Sequence, residues 1–266
     1  MDRTKRASRT WRKARATDPP VCHDDHMSAR HVVLVHGAWH GAWCWSALQA
    51  ELDRRGVPSI AIDLPGHGAS TSPLSDMHGD ARCVADTLGV LRDRGVADPV
   101  LVGHSYGGAV ISQAAALHPE VGHLVYIAAF ALNDGESVMS ALVSFPPAAV
   151  GLQKAMIGRD DGTSMLNPEL AKPALYGNCD PTAADAALAR LSPQPSVTMT
   201  QPAQGSPRDN IASTFVVCDR DDAVHPSHQK IMAERCTTTV VLDTDHSPFL
   251  SMVSETADIL EAIARS

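Results

Sequence analysis

One passage constrains this chain more than any other. Pro99-Val100-Leu101-Val102-Gly103-His104-Ser105-Tyr106-Gly107-Gly108 runs from unbroken apolar residues, through glycines, into a stretch rich in Ala109, Ala114, Ala115 and Ala116. The first part reads as a strand covered on both faces, the last as a helix, with room between them only for a sharp turn. A serine at the apex of such a turn adopts a strained backbone, so that its hydroxyl projects above the sheet. Glycines two residues before and two after remove the side chains that would collide there. The alternative, a glycine-rich helix start capped by a serine, leaves the preceding apolar strand without a role. The pattern therefore nominates Ser105 as a nucleophile.

The rest of the chain repeats the strand–helix theme. Short apolar runs at 31–35, 59–62, 99–102, 123–128, 215–218 and 239–242 alternate with helix-like stretches at 45–54, 79–94, 107–118, 226–235 and 255–264. That alternation predicts an α/β fold: a mostly parallel six-stranded sheet with helices on both faces. With 44% hydrophobic residues, the chain has the material to bury such a sheet. Residues 129–214 break the pattern. No strand signal appears there, and helical character at 139–150, 167–174 and 181–191 is joined by turns such as Gly158-Arg159-Asp160-Asp161-Gly162. A structureless loop of that length is improbable in a compact domain. The expectation is a small helical cap at 135–205, roofing the carboxyl edge of a core made from 31–134 and 206–266.

Residues 1–30 differ. Arg3, Lys5, Arg6, Arg9, Arg12, Lys13 and Arg15 crowd an opening with no apolar periodicity and no apolar core of the kind a signal peptide carries, so it reads as a disordered basic tail. No stretch approaches the roughly 18 apolar residues of a membrane span. The net charge of −8 argues against nucleic acid. Cys22, Cys44, Cys83, Cys179, Cys218 and Cys236 are scattered without zinc-ligand spacing, which suits reduced thiols in the cytoplasm.

A serine hydroxyl needs a base. His246 lies just beyond the last strand, in Val241-Leu242-Asp243-Thr244-Asp245-His246-Ser247, at the edge where Ser105 is expected. His225 and His228 read as surface residues and His104 as structural. An acid must hold the imidazole's tautomer, and Asp221, three residues past the fifth strand, is favoured over Asp219 and Asp222, with Asp134 a weaker alternative. Two backbone N–H groups should face the developing oxyanion: that of Tyr106 after the nucleophile, and that of Ala38 in the turn after the first strand. Trp39, His40, Phe130, Leu142, Phe145 and Met199 are candidate pocket walls, although core packing explains each equally well. With 4% aromatics, few rings are available for that purpose.

These residues carry a family likeness. The segment from His31 through His36-Gly37-Ala38-Trp39-His40-Gly41 to Trp45 resembles the opening of the plant methylesterase and hydroxynitrile lyase group of α/β-hydrolases and its bacterial esterase relatives. So do Asp63-Leu64-Pro65-Gly66-His67-Gly68, the segment 103–108, Ala128-Ala129-Phe130 and Asp245-His246. The resemblance runs from residue 31 onward and is weakest in the cap. It implies Ser105, Asp221 and His246 as a triad, Ala38 and Tyr106 as oxyanion donors, no metal or organic cofactor, and cleavage of small, largely apolar carboxylic esters through an acyl-enzyme. Bacterial members include enzymes that act on pyrethroid-type esters. The lyases carry a lysine after the catalytic histidine and a threonine near the first strand; this chain has Ser247 and Gly37. A C–C bond hydrolase and a non-catalytic ligand-binding protein are the rival readings, and a homodimer is compatible with the sequence.

Overall fold

The computed structural model describes residues 29–266. The basic stretch and Cys22 fall outside them. Six strands form one sheet: β1 (Val32–Val35), β2 (Ser59–Ile62), β3 (Val100–His104), β4 (His123–Ile127), β8 (Ser213–Cys218) and β9 (Thr238–Leu242). Between β4 and β8 lie β5 (Met156–Gly158), β6 (Thr163–Leu166) and β7 (Gln194–Pro195). The main sheet runs in the order β2-β1-β3-β4-β8-β9 with every pair parallel. Its helices are α1 (Ser46–Arg54), α2 (Met77–Asp93), α3 (Gly107–Leu117), α8 (Pro226–Ala233), α9 (Pro248–Ser251) and α10 (Val253–Ala264).

The continuous apolar runs are what such a sheet requires, because alternate side chains feed opposite layers. Val33 and Val35 of β1 join Leu101, Tyr126 and Phe215 against α2, α3 and α8. Val32 and Leu34 join Val100, Val102 and Ile127 against α1 and α10. Leu34, Leu48 and Leu52 are wholly buried, each contributing about 1.5–3 kcal/mol. The outer strands depart from the expectation of burial on both faces: β2 is half-buried and β9 largely exposed, because an edge strand has no neighbour beyond it.

Register brings the strand ends level. Val35 pairs with Gly103, His104 with Ile127, Ile127 with Val216, and Cys218 with Leu242. The loops after β1, β3, β8 and β9 therefore emerge along one edge, where open α/β sheets bind ligands.

The segment between β4 and β8 is not purely helical. It holds α4 (Val138–Ser144), α5 (Leu152–Ala155), α6 (Pro168–Tyr176) and α7 (Pro181–Leu188), but β5, β6 and β7 form a separate antiparallel sheet. These strands are too short for an alternating pattern to stand out. The helix expected over 139–150 ends at Ser144, where Phe145 takes an extended conformation ahead of Pro146 and Pro147. The helix starts follow capping rules: Asn167 and Asp180 accept N–H bonds ahead of Pro168 and Pro181. Ala29 and Arg30, the end of the stretch read as a tail, are packed: the Arg30 N–H donates to Ala264 O at 2.8 Å. Among the described residues no helix is long and apolar enough to cross a membrane, and Cys44, Cys83, Cys179, Cys218 and Cys236 are free thiols.

Candidate active site

Ser105 follows β3 directly with φ at +53°, a region that side-chain-bearing residues avoid unless their surroundings hold them there. The holding bonds are short. The Ser105 N–H donates to Ile127 O at 3.1 Å, and its carbonyl accepts from Gly108 at 3.0 Å and Phe130 at 3.1 Å. The flanking glycines are sterically required. A Cβ on Gly103 would lie 2.5 Å from Gly107 O, and one on Gly107 would lie 2.6 Å from Val35 O.

His246 sits in the loop between β9 and α9, and its Nδ1–H donates to Asp221 Oδ2 at 2.7 Å with both side chains buried. A carboxylate accepts, so the proton resides on Nδ1 and the lone pair of the neutral ring on Nε2. No hydrogen bond joins Ser105 Oγ to that nitrogen among the described residues; contacts of this kind are often long before substrate binds and tighten in the complex. The loop is fastened to the serine's own turn: His104 Nε2–H donates to His246 O at 2.9 Å, with the two rings 4.5 Å apart. Burial drives the His104 ring well below the usual histidine range, so it stays neutral and keeps that donor geometry. A further clamp is Asp245, whose buried carboxylate accepts from Asn178 N–H, Ser247 N–H and Ser251 Oγ.

Of the carboxylates weighed in the sequence, Asp221 is the one the fold brings to His246. Asp219 is exposed and paired with Lys230, Asp222 receives the Gly151 N–H, and Asp134 receives the Gly205 N–H. Asp221 is fully engaged. Oδ1 accepts from Ala223 at 2.6 Å and Val224 at 2.8 Å, while Oδ2 takes His246 and Gln229 Nε2, each at 2.7 Å. Gln229 is wholly buried and also bridges Cys218 N–H and Val224 O. Sequence reasoning missed it, although a glutamine on the buried face of α8, beside His228 and Met232, is the kind of polar exception that carries information.

Ala38 and Tyr106, whose N–H groups the sequence nominated as oxyanion donors, share a cavity lining with Ser105. Neither N–H donates a hydrogen bond within the described residues. Tyr106 is anchored through its hydroxyl, which donates to Asp80 Oδ2 at 2.7 Å. Burial raises that carboxyl to about 7, and its Oδ1 has no partner. Below the turn after β1, histidines are held neutral. Burial lowers His36 to about 3, His40 to about 4 and His67 to about 4. Leu64 N–H donates to His36 Nε2, which fixes Nδ1–H as the donor to Gly37 O.

The cavity is about 120 Å³ and predominantly apolar. Trp39, Phe130, Leu142 and Met199 line it, together with Met139, Met156 and Val138. His40 and Phe145 do not line it. His40 is sealed behind the turn against Tyr176, and Phe145 turns onto His228 and Arg235. Conversely, His225 and His228, read from the sequence as surface residues, form part of the wall, and His228 is buried. The start of α8 points at the carboxyl edge, which periodicity alone does not reveal. Among the described residues no cluster of His, Cys, Asp or Glu side chains is arranged to hold a metal ion.

Comparison with known proteins gives a consistent answer. A profile described as the alpha/beta hydrolase family matches residues 32–259. The chain is 31% identical to methylesterase 7 of Arabidopsis thaliana over 258 residues, covering 90% of this chain and 98% of that one. It is 30% identical over 233 residues to the alpha/beta hydrolase nvfD of Aspergillus novofumigatus, covering 83% and 90%. A carbendazim hydrolyzing esterase of Nocardioides is 36% identical over 122 residues, 46% of this chain and 50% of that one. Among solved structures, a pyrethroid hydrolase from Sphingobium faniae JZ-2 superposes with a TM-score of 0.78 at 24% identity, covering 89% of this chain and 98% of its own.

Proposed function

The chain belongs to the α/β-hydrolase family and is a hydrolase of the carboxylesterase type, and from that premise we propose that Ser105, His246 and Asp221 act as a triad cleaving small, largely apolar carboxylic esters. The observation that carries the reading is the buried 2.7 Å bond from His246 Nδ1–H to Asp221, on a loop tied to the serine's own turn. A histidine so held keeps its basic nitrogen available and is stabilised once it becomes a cation.

In the reaction, Ser105 Oγ attacks the ester carbonyl while His246 Nε2 takes the hydroxyl proton. The N–H groups of Ala38 and Tyr106 receive the oxyanion of the tetrahedral intermediate. Collapse expels the alcohol, which takes its proton from His246, and leaves an acyl group on Ser105. Water then attacks with His246 as base, releasing the acid and restoring the serine. The segment 135–205 acts as a cap that roofs the site. Its apolar wall and a cavity of about 120 Å³ suit a group about the size of one aromatic ring. The names of the relatives, methylesterases and a carbendazim hydrolyzing esterase, fit a compact ester. The position that carries lysine in hydroxynitrile lyases is Ser247, which is buried and does not line the cavity.

The test is turnover of p-nitrophenyl acetate by the wild type and by Ser105→Ala. A loss of about a thousandfold or more is expected, as for removal of a triad serine. Equal rates would overturn the reading.

A further inference from the structure

The turn that carries Ala38 is held from outside as well as by its own bonds from His36 and His40 to Gly37 O. Trp39 sits at φ +63°, a conformation a residue with a side chain leaves unless its polar groups are tied down. All three of those groups are tied to the segment from β6 to the end of β7. The Trp39 N–H donates to Gln194 Oε1 at 3.2 Å, its carbonyl accepts from Ser192 N–H at 2.8 Å, and its indole Nε1–H reaches Ser164 O at 3.1 Å.

The peptide joining Ala38 to Trp39 is pinned on both sides. Its N–H goes to Gln194, and its C=O accepts from His40 Nδ1–H at 2.7 Å. The His40 proton is directed in turn by Tyr176, the last residue of α6. The Tyr176 hydroxyl lies 2.6 Å from His40 Nε2 and donates to it, because Nδ1 must carry the ring proton to face a carbonyl. The Gln194 amide is oriented just as firmly. The Thr198 hydroxyl donates to Pro195 O at 2.6 Å, so its oxygen accepts from Gln194 Nε2 at 3.1 Å, leaving Oε1 for Trp39. Gln194 and Tyr176 are buried.

These bonds take up the Trp39 N–H, while the Ala38 N–H has no partner among the described residues and Ala38 lines the cavity beside Ser105. The turn has no slack on its other side, since a Cβ on Gly37 would already lie 2.9 Å from His104 Nδ1 and 3.0 Å from Ser105 Cβ. We infer that Gln194, and Tyr176 acting through His40, are positioning residues for the oxyanion: side chains from the roof set the aim of the Ala38 N–H. This rests on the reading of Ala38 as an oxyanion donor. It gives the segment above the sheet a part in the rate of the chemical step as well as in substrate selection.

The experiment compares Gln194→Met, which keeps length but loses the acceptor, with Gln194→Glu, which keeps an oxygen for the Trp39 N–H. With p-nitrophenyl acetate, Gln194→Met should lower kcat by about tenfold to a hundredfold with KM within about twofold. That is less than the hundredfold to thousandfold loss when an oxyanion donor is deleted outright. Affinity for a trifluoromethyl ketone, which becomes a hemiketal oxyanion on Ser105, should fall by the same factor as kcat/KM. Gln194→Glu should recover to within about fivefold of wild type. Tyr176→Phe removes only a hydroxyl and should show the same kcat-specific loss to a smaller degree; if Gln194→Met fails to fold, this variant decides the matter by itself.

Ser105→Ala run alongside separates the two levels. If Ser105→Ala retains turnover, the esterase reading falls and this inference with it. If Ser105→Ala is inactive while the folded variants keep kcat within about twofold, or lose activity through KM alone, only the positioning role is overturned.

Discussion

Acidification from pH 7 to pH 5 should destabilise the fold, and the structure says by how much. His36, His40 and His67 are held neutral by burial, with folded pKa values of about 3, 4 and 4. In the unfolded chain the same rings titrate near 6.5. Their contribution to stability is complete above that value and is lost as pH falls, because only the unfolded state takes up protons. At pH 5 each costs about 2 kcal/mol relative to pH 7, so the three together cost about 6 kcal/mol. His104 works in the same direction. Asp80 opposes them. Burial raises it to about 7 from a usual 3.8, so its favourable effect is present at low pH and lost as pH rises through 7; between pH 7 and pH 5 it returns about 2 kcal/mol. A net loss of about 4 kcal/mol is a large part of a stability on the order of 5–15 kcal/mol. Urea unfolding followed by tryptophan fluorescence reports it well, since Trp45 is wholly buried. Asp80→Asn should deepen the acid loss by removing the opposing group. Stability that stays flat or rises between pH 7 and pH 5 would show that these rings are not held neutral in the fold.

Other expectations follow from single contacts. Gln229→Leu strips one of four donors from Asp221 and leaves Cys218 N–H and Val224 O without their partner; kcat should fall about tenfold or more and stability by about 1–3 kcal/mol, read by ester turnover and urea unfolding. Gly107→Ala forces a Cβ to within 2.6 Å of Val35 O and should abolish activity or folding. Gly89→Ala, within α2 and with open space around it, should raise stability by about 0.5–1 kcal/mol in the same unfolding assay.

Much of this was legible in the residues because local chemistry and tertiary demand agree. Val32–Val35 and Ser213–Cys218 are apolar throughout because they are covered on both faces, and 103–107 spells out a turn whose glycines are sterically compelled. The placement of His246 and Asp221 followed from strand ends sharing one edge. What stayed hidden depends on contacts distant in sequence. The strands β5, β6 and β7 are two to four residues long, below the length at which alternation can be recognised. His225 and His228 begin a helix with no mark of which way it points. His40 sits one residue from a pocket wall yet is turned away from the cavity by Tyr176, a partner 136 residues along the chain. Gln229 joins Asp221, Cys218 and Val224, and Gln194 joins Thr198 to Trp39, 155 residues away; no periodicity records such side-chain bonds.

An activated nucleophile at Ser105 can be trapped covalently. After treatment with a fluorophosphonate, peptide mapping by mass spectrometry should find one adduct, on Ser105, formed far more slowly in His246→Ala. An unmodified Ser105 in the folded protein, or labelling that His246→Ala leaves unchanged, would mean that Ser105 is not activated by His246.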